Sequence, residues 1–156
     1  MQIVKLFPKI IGVFKNPNMS FHQKIVKKCY DIKKIVSSGG ENWLSKVYNV
    51  NGKLNLYKEK DFKPLLKWID EKLLEYNHNL NINFKPLNKY AWFQIYNKGD
   101  YQDYHSHPTS KLSAIYFLKG KKNSAPVLFT DFNFNMNYFN LITPTEDNSF
   151  EWNIPF

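Results

Sequence analysis

Three features of this sequence predict a mainly β, α+β domain. Apolar residues recur twice before residue 80 at three- and four-residue spacing, the mark of amphipathic helices. From about residue 90 the period changes to two, the mark of strands. The 156 residues suit a single domain, and 43% of them are apolar, enough to supply a core. Aromatics reach 17%, and Phe and Tyr suit strands and sandwich interiors.

The chain opens with strand-like "IVKLF" and "IIGVF", broken at Pro8, and Asn16-Pro17-Asn18 signals a turn. Ser20 and Gln23 have the spacing of a capping box. Behind them Phe21, Ile25, Cys29, Ile32 and Val36 form one helix face, predicting a helix over 20–36 that ends at Ser37-Ser38-Gly39-Gly40. Residues 41–60 read as irregular, with a turn at Asn51-Gly52. Asp61 is positioned to cap a second helix over 62–76, with Pro64 in its first turn and a stripe of Phe62, Leu65, Leu66, Ile69, Leu73 and Tyr76.

Strands follow in "YAWFQIYN", "KLSAIYFL", "APVLFTDF" and "FNLIT", joined by turns at Lys98-Gly99-Asp100, Lys119-Gly120 and Thr143-Pro144. Helices first and strands after favour a sandwich, jelly roll or barrel. Its core is expected to include Trp92, Ile95, Ile115, Leu118 and Phe129.

The net charge is +9, carried by lysine alone, since the chain has no arginine. Arginine is the residue of bidentate base and phosphate recognition, and these lysines are spread along the chain, so no dedicated nucleic-acid partner is expected. Abundant Lys, Asn and Ile also fit an AT-rich coding bias. Cys29 is the only cysteine, which excludes an internal disulfide and fits a reducing cytoplasm. No signal peptide or membrane-spanning run is evident, so no membrane partner is expected.

The chain has four histidines. His22, on the first turn of a helix, reads as a solvated or capping residue, and His78, in an Asn-rich exit, reads as surface. His105 and His107 lie one residue apart in "DYHSHP". On an extended segment both rings leave the same face and can converge on one ion at about 2.1 Å from each nitrogen. Pro108 biases His107 toward that conformation. His-x-His by itself is more often a solvated strand end, but flanking strands here offer Gln94, Ser113 and Tyr116 at alternating positions. Two histidines with one carboxylate and open positions suit Fe(II) and oxygen chemistry.

The run "AWFQIYNKGDYQDYHSHPTSKLSAIYFLKG", then "APVLFTDF", resembles the core of a family of 2-oxoglutarate/Fe(II)-dependent oxygenases common in marine bacteria and their phages. "LFPKIIGVF" and "GGENWLSKVYNV" are similar to its N-terminal region. The resemblance implies a double-stranded β-helix (jelly roll). The strand and helical part, 1–88, would pack outside a β-helix core, 89–156. It implies Fe(II), with His105 and His107 on the first two ligand positions, and 2-oxoglutarate as co-substrate, with Gln94 and Tyr116 near its pocket. Ser113 and Lys111 are further candidate contacts, Lys111 standing in for the family's arginine.

The chain departs from the family's pattern. Gln94 replaces an Asn, Ala114 a Gly, and Phe117 a second Tyr that would bond the co-substrate. No histidine follows His107, and the sequence stops at "SFEWNIPF" before the family's distal His and Arg motifs. The barrel is therefore expected to lack its C-terminal strands, to bind metal weakly and to turn over little. Asp131 is a candidate for the carboxylate, at a position that is a non-ligand in the family. The readings left open are a cytoplasmic dioxygenase of unknown substrate, a non-catalytic relic (a truncated gene, or a half-barrel completed by a separate downstream chain), and a metal-free, non-catalytic β-sandwich binding or virion-associated module, with homo-oligomerisation also open.

Overall fold

Ile25, Cys29 and Ile32 are spaced for one face of a helix, and α1 (His22–Ile35) buries that face. In the computed structural model the described residues are 10–39, 47–82, 88–105, 107, 110–121, 124, 126–130, 138–144 and 150–151. The chain divides into two compact units, Met1–Gln102 and Asp103–Phe156.

In the first unit α1 starts without a side-chain cap. The expected capping box does not form, because Ser20 is held by Asn18, whose Oδ1 accepts from the Ser20 amide at 3.1 Å. The helix ends where Val36 turns extended, its N–H still bonded to Ile32 O at 2.8 Å. The turn at Asn51-Gly52 forms, with Gly52 at φ +73°. A 3₁₀ turn, Lys60–Phe62, then leads into α2 (Lys63–Asn79), with Pro64 in its first turn. Asp61 does not cap α2. It pairs instead with Lys28 Nζ at 2.8 Å, and each partner holds the other in its charged form.

The core of this unit gathers Ile25, Cys29, Ile32, Val47, Val50, Leu56, Phe62, Leu65 and Leu66. Burying each large side chain stabilises by roughly 1.5–3 kcal/mol. Strand β1 (Tyr48–Asn49) pairs antiparallel with β2 (Gln94–Ile95), Tyr48 opposite Ile95 and Asn49 opposite Gln94. The tie continues beyond the ladder, where Val50 N–H donates to Phe93 O at 3.3 Å and Leu56 N–H to Ala91 O at 2.8 Å.

The second unit contains an antiparallel sheet in the order β3 (Val127–Thr130), β4 (Tyr138–Pro144), β5 (Phe150–Glu151), with a register shift between Val127 and Leu128. Residues 110–121 form bends and irregular chain.

The expected double-stranded β-helix is therefore not present among the described residues, which form two helices, a two-residue ladder and one small three-stranded sheet. The alternation in "KLSAIYFL" enters no strand, and its Ile115 is 60% exposed. A period of two sets which faces a strand would present, but a strand also needs a partner for its backbone groups. Nor do the helices pack as an outer layer on a β-helix. They bury their stripes in the first unit's own core. None of Trp92, Ile95, Ile115, Leu118 and Phe129 is fully buried. Residues 10–14 are not a strand, and Thr143-Pro144 ends β4 rather than forming a turn. The strand-like residues 3–7 and most of "GGENWLSKVYNV" lie outside the described residues.

Candidate metal centre at His105 and His107

His105 and His107 lie in irregular, exposed chain just inside the second unit. Their ring centroids are 5.0 Å apart with planes at 81°. Two imidazoles sharing an ion at about 2.1 Å each would place their centroids roughly 4.5–5.3 Å apart at tetrahedral or octahedral angles. The observed separation falls in that range without a ladder to impose it.

A backbone contact sets the tautomer of His105. Its Nδ1 lies 2.8 Å from the carbonyl oxygen of Asp103, and a carbonyl can only accept. Nδ1 therefore carries the hydrogen, and in the neutral ring Nε2 keeps the lone pair. Metal-bound histidines are commonly oriented this way, by a carbonyl on the far nitrogen. Burial, and then the charge of His105, lower the pKa of His107 from 6.5. A lowered value keeps that ring neutral near pH 7, the form that binds metal. The Ser110 N–H donates to His107 O at 2.9 Å and anchors its backbone.

The remaining candidates fall in different places. Gln94 belongs to the first unit, on β2, where its Nε2 donates to Gln102 Oε1 at 3.2 Å and its Oε1 lies 2.9 Å from Tyr96 Oη. In the second unit Lys111 and Ser113 are exposed and Tyr116 is half-buried. Among the described residues no group of three or more His, Cys, Asp or Glu is placed to hold a metal ion. Asp131 and Pro108 lie outside the described residues.

The other two histidines divide. His78 is exposed, as expected, but His22 is only 6% exposed, so its reading as a solvated residue is corrected. It packs edge-on to the Phe21 ring at 5.0 Å. The sequence reading missed Gln102 and the Asp103 carbonyl. Backbone oxygens carry no residue signature, and the eight-residue offset from Gln94 to Gln102 has no period. No described helix is long and apolar enough to cross a membrane.

No family model, curated protein or solved structure matches this chain.

Proposed function

We propose that His105 and His107, with the Asp103 carbonyl behind them, form a two-histidine transition-metal element, and that its chemistry is of the Fe(II)/2-oxoglutarate dioxygenase type, acting on a substrate the sequence does not name. The observation that carries this reading is the pairing of His105 and His107 at 5.0 Å, with Nδ1 of His105 committed to the Asp103 carbonyl. The family resemblance of the surrounding motifs supplies the choice of iron over other divalent ions.

Two neutral imidazoles fit two positions of a facial site and leave the others to water or a co-substrate. Bound iron with 2-oxoglutarate would supply oxidative decarboxylation coupled to C–H hydroxylation. The chain's own part is to present the His105 Nε2 lone pair beside the His107 ring, whose pKa is lowered from 6.5 by burial first. With no third ligand among the described residues, binding is expected to be weak.

Anaerobic Fe(II) titration, with and without 2-oxoglutarate, tests the reading. A charge-transfer band that needs both additions and disappears in His105→Ala supports it, as does succinate formation in air. Metal binding that persists unchanged in His105→Ala and His107→Ala overturns the site. Binding without a band or succinate overturns the oxygenase assignment and leaves the site standing.

A further inference from the structure

Tyr90, Trp92, Gln94 and Tyr96 alternate with Ala91, Phe93 and Ile95 along a segment whose backbone is tied at Ala91, Phe93, Gln94 and Ile95. Phe93 turns inward and stacks on buried Phe62, with centroids 6.3 Å apart and planes at 11°. The other set is grouped by contacts two residues apart, Tyr90 against Trp92 and Tyr96 against Gln94. Tyr90 and Tyr96 are 47% and 48% exposed, and Trp92 and Gln94 are half-buried.

These rings are held in place. Tyr90 Oη accepts from the Gly52 amide at 2.8 Å and donates to Leu54 O at 3.4 Å. The Tyr90 and Trp92 centroids are 5.7 Å apart. Tyr96 Oη lies 2.9 Å from both Gln94 Oε1 and Gln102 Oε1. An exposed lysine sits near each end of the row, Lys53 in the turn beside Gly52 and Lys98 in the turn after Tyr96. Asp100, in that second turn, is committed locally. It accepts from the Asn97 amide at 2.8 Å and from Asn97 Nδ2 at 3.0 Å.

We infer that this face binds single-stranded nucleic acid without regard to sequence, with bases on the rings of Tyr90, Trp92 and Tyr96 and phosphates on Lys53 and Lys98. Such binding needs π-faces and point charges, not the bidentate forks that arginine supplies, so the missing arginine does not count against it. The sequence hid this because its lysines are scattered, whereas the turns at Gly52 and Gly99 bring two of them to one aromatic row. A neutral glycan would also use the rings. The flanking cations and the net charge of +9 favour a polyanion.

Fluorescence anisotropy of the full chain with short single-stranded DNA and RNA oligonucleotides tests the inference. Binding should weaken with salt and be indifferent to base sequence. Trp92→Ala and Tyr96→Ala should each weaken it roughly 5- to 100-fold, and Trp92→Phe should retain most of it. Lys53→Gln with Lys98→Gln should flatten the salt slope by about 1.4, for two lost phosphate contacts. Circular dichroism identifies any variant that fails to fold, and Tyr96→Ala and Trp92→Phe serve if Trp92→Ala does so. Three results would overturn the inference: no oligonucleotide binding, salt-independent binding of a neutral oligosaccharide instead, or affinity untouched by loss of the rings.

Discussion

Tyr57 donates its phenol hydrogen to Asp70 Oδ1 at 2.9 Å, while Lys89 Nζ holds Oδ2 of the same carboxylate at 2.9 Å. The ammonium also lies 5.7 Å from the Tyr57 ring centroid. One carboxylate thus links the 3₁₀ turn Leu56–Lys58, α2 and the approach to β2. Burial first, then the bond to Asp70, raises the phenol above its ordinary value of 10.0. The sign follows directly. The unfolded phenol ionises first, so this contribution is intact below pH 10.0 and is lost as pH climbs beyond it. Tyr57→Phe should cost about 1 kcal/mol at neutral pH and blunt the alkaline loss, read from urea midpoints across that range. An alkaline profile identical to that of the unmodified chain would contradict this.

Burial lowers the pKa of His22 from 6.5. Its place on the first turn of α1, where the helix dipole is positive, also disfavours a cation. The unfolded ring therefore takes up its proton first as pH drops. The His22 contribution should be level above pH 6.5 and decline from there down to the lowered folded value. The carboxylates of Asp31 and Asp61, held low by their lysine partners, add losses only further down, below 3.8. His22→Gln should shrink the decline just below 6.5, to which His107 also contributes, while keeping the more acidic one. A midpoint that does not move between neutral pH and 5 would refute the assignment.

Cys29 is 5% exposed, and desolvation pushes its thiol up to about 12. The reactive thiolate is thus scarce at any ordinary pH. A disulfide reagent should leave the native chain unlabelled for as long as it stays folded and label it at once in denaturant. Rapid native labelling would show that α1 does not seat as described.

Gly39 donates its N–H to Asn49 O at 2.8 Å and accepts from Asn49 Nδ2 at 2.9 Å. A Cβ at this position would collide with the carbonyl oxygen of Asn51. Gly39→Ala should therefore force the two strands of chain apart and cost about 1–3 kcal/mol, visible as a lower melting temperature. An unchanged melting point would argue against the close approach.

The two helices were legible because each carries its apolar spacing within a single segment. Ile25, Cys29 and Ile32 point inward because of where they stand relative to one another. The core was less legible, since Val47, Val50 and Leu56 come from a stretch with no period and are buried by partners distant in sequence. The β-helix expectation failed for a related reason. Leu112 to Leu118 alternate correctly, but alternation cannot specify a pairing partner. The histidine pair was legible as a pair, while the carbonyl that fixes the tautomer of His105 was not, because every residue has a carbonyl.

The short β1–β2 ladder has a consequence for the order of events during synthesis. Tyr48 and Asn49 emerge from a ribosome well before their partners Ile95 and Gln94. In that interval Phe62 lacks the ring of Phe93 that later stacks on it. The nascent helices must therefore wait with an open seam, and emergence of residues 91–95 from the ribosome acts as a latch that closes loop and core together. Synonymous changes that slow elongation between α2 and β2 would lengthen the wait, and so the exposure of that seam to chaperones, without altering a single side chain.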